Sequence, residues 1–145
     1  MKVREVMTGQ PLTAQGSDSI MRVAKIMRAC DVGAVPILSN DKLVGILTDR
    51  DITVRGTATG LNIEHHQAQE IMSSDLLVIS PDAELEEAAD IMADAKIRRL
   101  PIVLDSKLIG LISLGDLAVA SKGHEQLCGV VLENVSEPIG PKCSM

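Results

Sequence analysis

The chain has 145 residues, 46% hydrophobic and 23% charged, with a net charge of −6 and no Phe, Tyr or Trp. That is enough apolar residue for a real core, because a chain of ~150 residues removes roughly 68–70% of its unfolded surface from water, so disorder, collagen and disulfide scaffolds are excluded. The acidic balance and the missing rings also exclude a general nucleic-acid binder, which neutralises phosphates with Lys and Arg and stacks bases on aromatics; any flat ligand must rest on aliphatic side chains.

Taken in order, the N-terminus MKVREVMTGQ has no apolar h-region, so no signal peptide is read. A short strand is expected near Leu12, then a helix whose apolar stripe, Ile20, Val23, Ala24, Met27 and Cys30, recurs with a period near 3.6. Cys30 is read there as a small core residue, and Arg22, Lys25 and Arg28 as the solvated face. Two apolar runs, Ala34–Leu38 and Leu43–Thr48, flank the polar turn Asn40-Asp41-Lys42 and read as a hairpin. A second helix begins at Asp49, and residues 53–69 read as its end plus a connection. Adjacent His65 and His66 lack the i, i+4 spacing of a helical zinc pair, so no metal site is assigned.

The same elements then return. A shift of 65 positions aligns residues 5–52 with 70–117 without a gap, matching for example Met7, Met27, Pro36, Gly45 and Asp51 with Met72, Met92, Pro101, Gly110 and Asp116. The second copy brings a strand at Leu77–Ile79, a helix start at Ser80-Pro81-Asp82 and a stripe of Leu85, Ala88, Ala89 and Met92. Its hairpin is Leu100–Leu104 and Leu108–Ser113 around Asp105-Ser106-Lys107, and its last helix begins at Leu114. The apolar stretch 108–120 is broken by Gly110, Gly115 and Asp116 and is shorter than the ~20 residues of a membrane span. A final helix is read between residue 123 and Pro138, with a loose end after it. Cys30, Cys128 and Cys143 are odd in number and form no CxxC pair, which suits a reducing cytoplasm.

The organisation is therefore α/β of the α+β kind: two β-α-β-β-α repeats packed through their sheets with pseudo-two-fold symmetry. The boundaries are 1–60 for the first repeat, 61–69 for a linker, 70–122 for the second repeat and 123–145 for a C-terminal helix and tail. One unit of about 60 residues is marginal alone, so the two are expected to share a core.

The chemistry concentrates at Gly45-Ile-Leu-Thr48-Asp49-Arg50-Asp51 and Gly110-Leu-Ile-Ser113-Leu114-Gly115-Asp116, each at a strand-to-helix junction. A Thr or Ser three residues before an acid caps a helix reciprocally. The same hydroxyl and carboxylate, beside the positive end of a helix, can bind a vicinal diol and a phosphate, the two groups of a phosphorylated ribose.

On these motifs the repeat resembles the cystathionine β-synthase (CBS) domain family, and the pair resembles a Bateman module, the tandem that binds adenosine-containing ligands. The resemblance covers about residues 1–120. It implies a non-enzymatic regulatory or sensor module taking AMP, ADP, ATP or a related adenosyl compound in the cleft between repeats, with no obligatory cofactor and Mg accompanying ATP. Thr48, Asp51, Ser113 and Asp116 are implied at the ribose. Arg98, Arg99 and, more weakly, Arg50 are implied at phosphate; consecutive strand residues face opposite sides, so one of Arg98 and Arg99 faces a given cleft. Ala34, Val35, Thr13 and Val78 are implied around adenine. A homodimer and an unidentified regulated protein are the implied partners, with no membrane and no nucleic acid. The alternative is a structural or interaction protein in which both motifs only cap helices. A second alternative, a nucleotide hydrolase, finds in this sequence no general base near a nucleophile and no clustered metal ligands.

Overall fold

The computed structural model describes residues 1–121. The elements are β1 (Thr8–Gly9), β2 (Ala14–Gln15), α1 (Ile20–Cys30), β3 (Ala34–Ser39), β4 (Lys42–Thr48), α2 (Asp49–Asp51), α3 (Leu85–Ala95), β5 (Arg99–Leu104), β6 (Lys107–Ser113) and α4 (Leu114–Ala120). The C-terminal helix and tail of the sequence reading, with Cys128 and Cys143, lie outside the described residues. The architecture is mixed α+β, with one sheet ordered β2-β3-β4 and another β1-β6-β5.

The chain forms two compact units. Of the described residues, one comprises Gln10–Leu77 with Asp105–Ile109; the other comprises Met1–Gly9, Val78–Leu104 and residues 110–121. Each unit thus takes the helices of one repeat and the lead-in of the other, and the tip of the second hairpin, Asp105–Ile109, goes with the first repeat. The backbone bonds are reciprocal. Val3, Arg4 and Leu85 amides donate to the carbonyls of Ala83, Pro81 and Met1, all at 3.0 Å. Displaced by 65 positions, Ala68, Gln69 and Ile20 donate to Asp18, Gly16 and His66, at 2.7, 3.1 and 3.0 Å. Each lead-in is a 3-10 turn, Val3–Glu5 or Ala68–Glu70, whose first residue is wholly buried.

In the unit carrying the first repeat, α1 starts at the Ser19 cap, whose hydroxyl accepts from the Arg22 amide at 3.0 Å. It buries Ile20, Val23 and Met27 against Val35, Ile37 and Leu47 of the hairpin. Arg22, Lys25 and Arg28 face solvent as expected, but Cys30 is exposed. It is the last helical residue; Asp31 then turns left-handed (φ 53°), so the stripe ends at Met27. β3 and β4 pair antiparallel from Ala34↔Thr48 to Ser39↔Lys42. Asn40 and Asp41 make their turn with φ of 50° and 62°, the two left-handed residues of a type I′ hairpin. Asp105 and Ser106 repeat it at 50° and 64°.

Two local expectations are corrected. The strand expected near Leu12 lies at Ala14–Gln15 (β2), and Leu77–Ile79 contributes only a bridge from Ile79 to Ile102. Leu12, Leu77 and Val78 are exposed, so apolarity there marks surface and not pairing. Ser80-Pro81-Asp82 does not cap α3: it forms a turn, with the Asp82 amide donating to Ser80 Oγ at 3.2 Å, and α3 begins at Leu85 after Glu84. Docking of the lead-in explains this, since the carbonyls of Pro81 and Ala83 accept from it and the Leu85 amide is satisfied by Met1. Glu84, without a side-chain cap bond, pairs with Lys2 and with the N-terminal ammonium.

The motif glycines have a packing reason. A Cβ on Gly45 would overlap the Met72 side chain and lie 3.0 Å from the Ser73 carbonyl; one on Gly110 would lie 2.8 Å from Met7 Sδ and 2.9 Å from the Thr8 carbonyl. Each lead-in methionine therefore sits on the glycine of a strand from the other repeat.

Candidate functional site

Each β-to-α junction is built by the residues predicted for it. Thr48 and Ser113 are extended, with φ of −107° and −110°, and turn the chain from strand to helix. Thr48 Oγ1 accepts from the Asp51 amide at 3.1 Å while Asp51 Oδ2 accepts from the Thr48 amide at 3.0 Å. Ser113 Oγ accepts from the Asp116 amide at 3.1 Å and Asp116 Oδ2 from the Ser113 amide at 2.8 Å. The first helical amide is spoken for in both: Asp49 donates to the Gly33 carbonyl at 3.0 Å, and Leu114 to the Arg98 carbonyl at 2.9 Å. The capping reading is therefore correct in both repeats. It consumes one oxygen of each carboxylate and leaves each hydroxyl hydrogen free to donate.

What remains after capping differs. Asp116 is half-buried and, among the described residues, its Oδ1 has no hydrogen-bond partner. Asp51 is only 8% exposed, and its Oδ1 lies 3.9 Å from Arg55 Nε. Arg55 also reaches the carbonyls of Ile71 and Met72 from Nη1, at 3.4 and 3.3 Å. Beyond Asp51 the helix widens into a π turn over Ile52–Gly56, whereas α4 stays α-helical to Ala120, the residue matched to Arg55. Arg55 escaped the sequence reading. Its i, i+4 spacing from Asp51 was the available signal, but the carbonyls it touches come from a segment 16 and 17 residues away.

The cationic candidates also fall unequally. Arg98 and Arg99 stand at the entry to β5, with Arg98 exposed, Arg99 half-buried, and no ion pair to either among the described residues. The first repeat has Gly33 and Ala34 in those places. Arg50 is exposed on the first turn of α2, where its amide donates to Asp49 Oδ1 at 2.9 Å. Of the residues implied around adenine, Ala34 and Val35 are buried, Val35 completely, so Val35 belongs to the core. Thr13 is half-buried and Val78 exposed, at matched positions just before Ala14 and Ile79.

The titratable groups with displaced pKa values lie on the lead-ins, Lys2 and Glu70, or pair with one, Glu84. The hydrogen bond from His66 Nδ1 at 3.0 Å, aided by the Gln67 amide, holds the Glu70 carboxyl below the usual glutamate range. The bond from Lys2 does the same for Glu84, and Glu84 in turn raises Lys2. Among the described residues no three His, Cys, Asp or Glu side chains gather as a metal site, and no helix is long and apolar enough to cross a membrane.

Comparison with known proteins agrees with this geometry. The CBS domain family matches twice, at residues 3–55 and 68–123. CBS domain-containing protein YhcV of Bacillus subtilis is 40% identical over 134 residues, 92% of this chain and 94% of its own. A crystal structure of Hypoxic Response Protein I with two coordinated zinc ions matches at TM-score 0.75 and 29% identity, over 82% of this chain and 98% of that one. The CBS domain pair of protein MJ0100, solved with 5′-methylthioadenosine and S-adenosyl-L-methionine, matches at TM-score 0.74 and 28% identity, over 85% and 97%. The two matched segments, the 65-residue repeat and the twice-built capped junction place this chain in the CBS domain family, of which it carries a tandem pair.

Proposed function

We propose that the protein is a regulatory module, not an enzyme, that binds an adenosine-containing ligand at its two junctions and passes the bound state to a protein partner. One observation carries the reading: after each cap is complete, a hydroxyl donor and a carboxylate oxygen remain on one helical turn, Thr48 with Asp51 and Ser113 with Asp116. A carboxylate oxygen accepting from a ribose hydroxyl makes a charge-assisted bond, about twice as strong as a neutral one. The complex of MJ0100 with two adenosyl compounds supports the ligand class.

The charge distribution assigns roles. Arg98 and Arg99 stand at the second junction and have no counterpart at the first, so a phosphate-bearing ligand belongs at the second. The first, where Arg55 offsets Asp51, takes the nucleoside part with less demand for anion contacts. Thr13 and Ala34 at the first site, and Val78 at the second, would supply aliphatic and backbone surroundings of adenine, while Val35 lies in the core behind the first. The chain would act as a homodimer on a separate target, because regulation by a module of this size works through association.

Calorimetric titration with adenosine, AMP, ADP, ATP and S-adenosylmethionine tests this. Lacking Phe, Tyr and Trp, the protein has little absorbance of its own to mask a carried nucleotide. Asp116→Ala weakens nucleotide binding by about 1.5–3 kcal/mol, the loss of a charge-assisted contact, and Asp116→Asn, which keeps a capping oxygen, reproduces most of that loss. Silence with all five compounds, or unchanged affinity in Asp51→Ala/Asp116→Ala, favours the alternative in which the motifs cap helices only.

A further inference from the structure

Arg55 has no role in capping and none in the core. Its side chain is 54% exposed, yet among the described residues its polar contacts converge on two places. One is the free oxygen of Asp51, 3.9 Å away, within ion-pair range but beyond a hydrogen bond. The other is the pair of carbonyls at Ile71 and Met72, at 3.4 and 3.3 Å. The segment bearing those carbonyls is held from its other side: the Met72 amide donates to Ala68 at 3.0 Å, and Ser73 and Ile46 exchange two bonds of 2.9 Å. It is also the lead-in of the second repeat, where Met72 packs on Gly45.

We propose that Arg55 is a positioning residue that couples occupancy of the Asp51 carboxylate to the Ala68–Ser73 lead-in, and that among the described residues the second repeat, with Ala120 in the matched place, has no such connection. The proposal rests on the reading of Asp51 as a hydroxyl acceptor. A planar guanidinium carries five donors in a fixed fork and distributes them among the acceptors in reach. All three of its contacts are long, so none dominates. A ligand hydroxyl donating to Asp51 Oδ1 puts a competing donor on the oxygen Arg55 faces and shifts the guanidinium toward the carbonyls of Ile71 and Met72. The lead-in is then gripped more firmly. Occupancy of the first site is thereby written into the segment that begins the second repeat, while occupancy of the second site stays local.

Hydrogen exchange with and without saturating adenosine, run beside calorimetry with the same compound on the full chain, tests the coupling. In the wild type, adenosine slows exchange at the Met72 and Ser73 amides and leaves Met7 and Thr8 unchanged. Arg55→Gln retains binding, within about fivefold of the wild type because only a half-exposed ion pair is lost, but loses the ligand-dependent protection at Met72 and Ser73. Ala120→Arg, which puts the guanidinium within the second repeat's frame, gains protection at Met7 and Thr8. A residue that merely stabilised the fold would lower the melting temperature and leave the ligand-dependent difference intact. Binding with wild-type protection in Arg55→Gln overturns this proposal alone; calorimetric silence of the wild type with adenosine overturns it together with the ligand reading.

Discussion

The two junctions share a backbone and differ in what surrounds it. The same two capping bonds, between 2.8 and 3.1 Å, recur in each, and each first-turn amide finds a carbonyl at the same offset. Around them Gly33, Ala34 and Arg55 of the first repeat correspond to Arg98, Arg99 and Ala120 of the second. Asp51 is nearly buried and paired with a cation, whereas Asp116 is more open and keeps one oxygen without a partner among the described residues. The duplication thus retains what holds the turn and varies what a ligand would meet. Caps are constrained by the chain itself, because an unsatisfied amide at a helix start has a cost wherever it occurs. Charges beside the cap are free to diverge.

Core substitutions give the largest test of the shared part. Leu47 and Ile112 are matched and both fully buried. Leu47→Ala and Ile112→Ala are each expected to cost 2–5 kcal/mol in urea unfolding, from lost transfer energy and the residual cavity. Costs that differ by more than that range would show that the repeats do not share one packing scheme. The caps come next. Thr48→Ala and Ser113→Ala each remove one bond to a first-turn amide and should lose about 1 kcal/mol. A clearly smaller loss at Thr48 would mean that Arg55 also supports the first turn.

The smallest effect separates the lead-ins. Glu5 and Glu70 close matched turns, but only Glu70 also meets a histidine, which holds its carboxyl below the ordinary range. A depressed folded pKa means that the unfolded chain binds the proton more readily. The resulting stability is present above the unfolded glutamate value of about 4.3 and disappears as pH falls through the lower folded one. The urea midpoint of the wild type should therefore fall more steeply between about pH 5 and pH 3 than that of Glu70→Gln. Parallel curves would remove His66 from the account of this turn.

Much of the fold was readable because its signals are local. The hairpins announced themselves by apolar runs around Asn40-Asp41 and Asp105-Ser106, and the junctions by a hydroxyl three residues before an acid. Reading failed where a distant segment overrode local preference. Ser80-Pro81-Asp82 has the composition of a helix start, but the carbonyls of that turn are engaged by residues 3 and 4, and the helix waits until Leu85. Cys30 fits the apolar period yet lies past the point where Met27 closes the buried stripe. Leu12, Leu77 and Val78 are apolar and exposed, which no periodicity distinguishes from burial.

By itself, then, the sequence determined the duplication, the order helix, hairpin, helix within each repeat and the residues of both capped junctions, because these rest on signals local in the chain. Tertiary structure alone decided that each compact unit borrows the lead-in of the other repeat, that Gly45 and Gly110 are seats for Met72 and Met7, and that Arg55 stands between Asp51 and two carbonyls of the following segment. Those contacts join residues far apart along the chain. Their energy comes from packing and from satisfying backbone groups, and neither leaves a spacing in the sequence to be read.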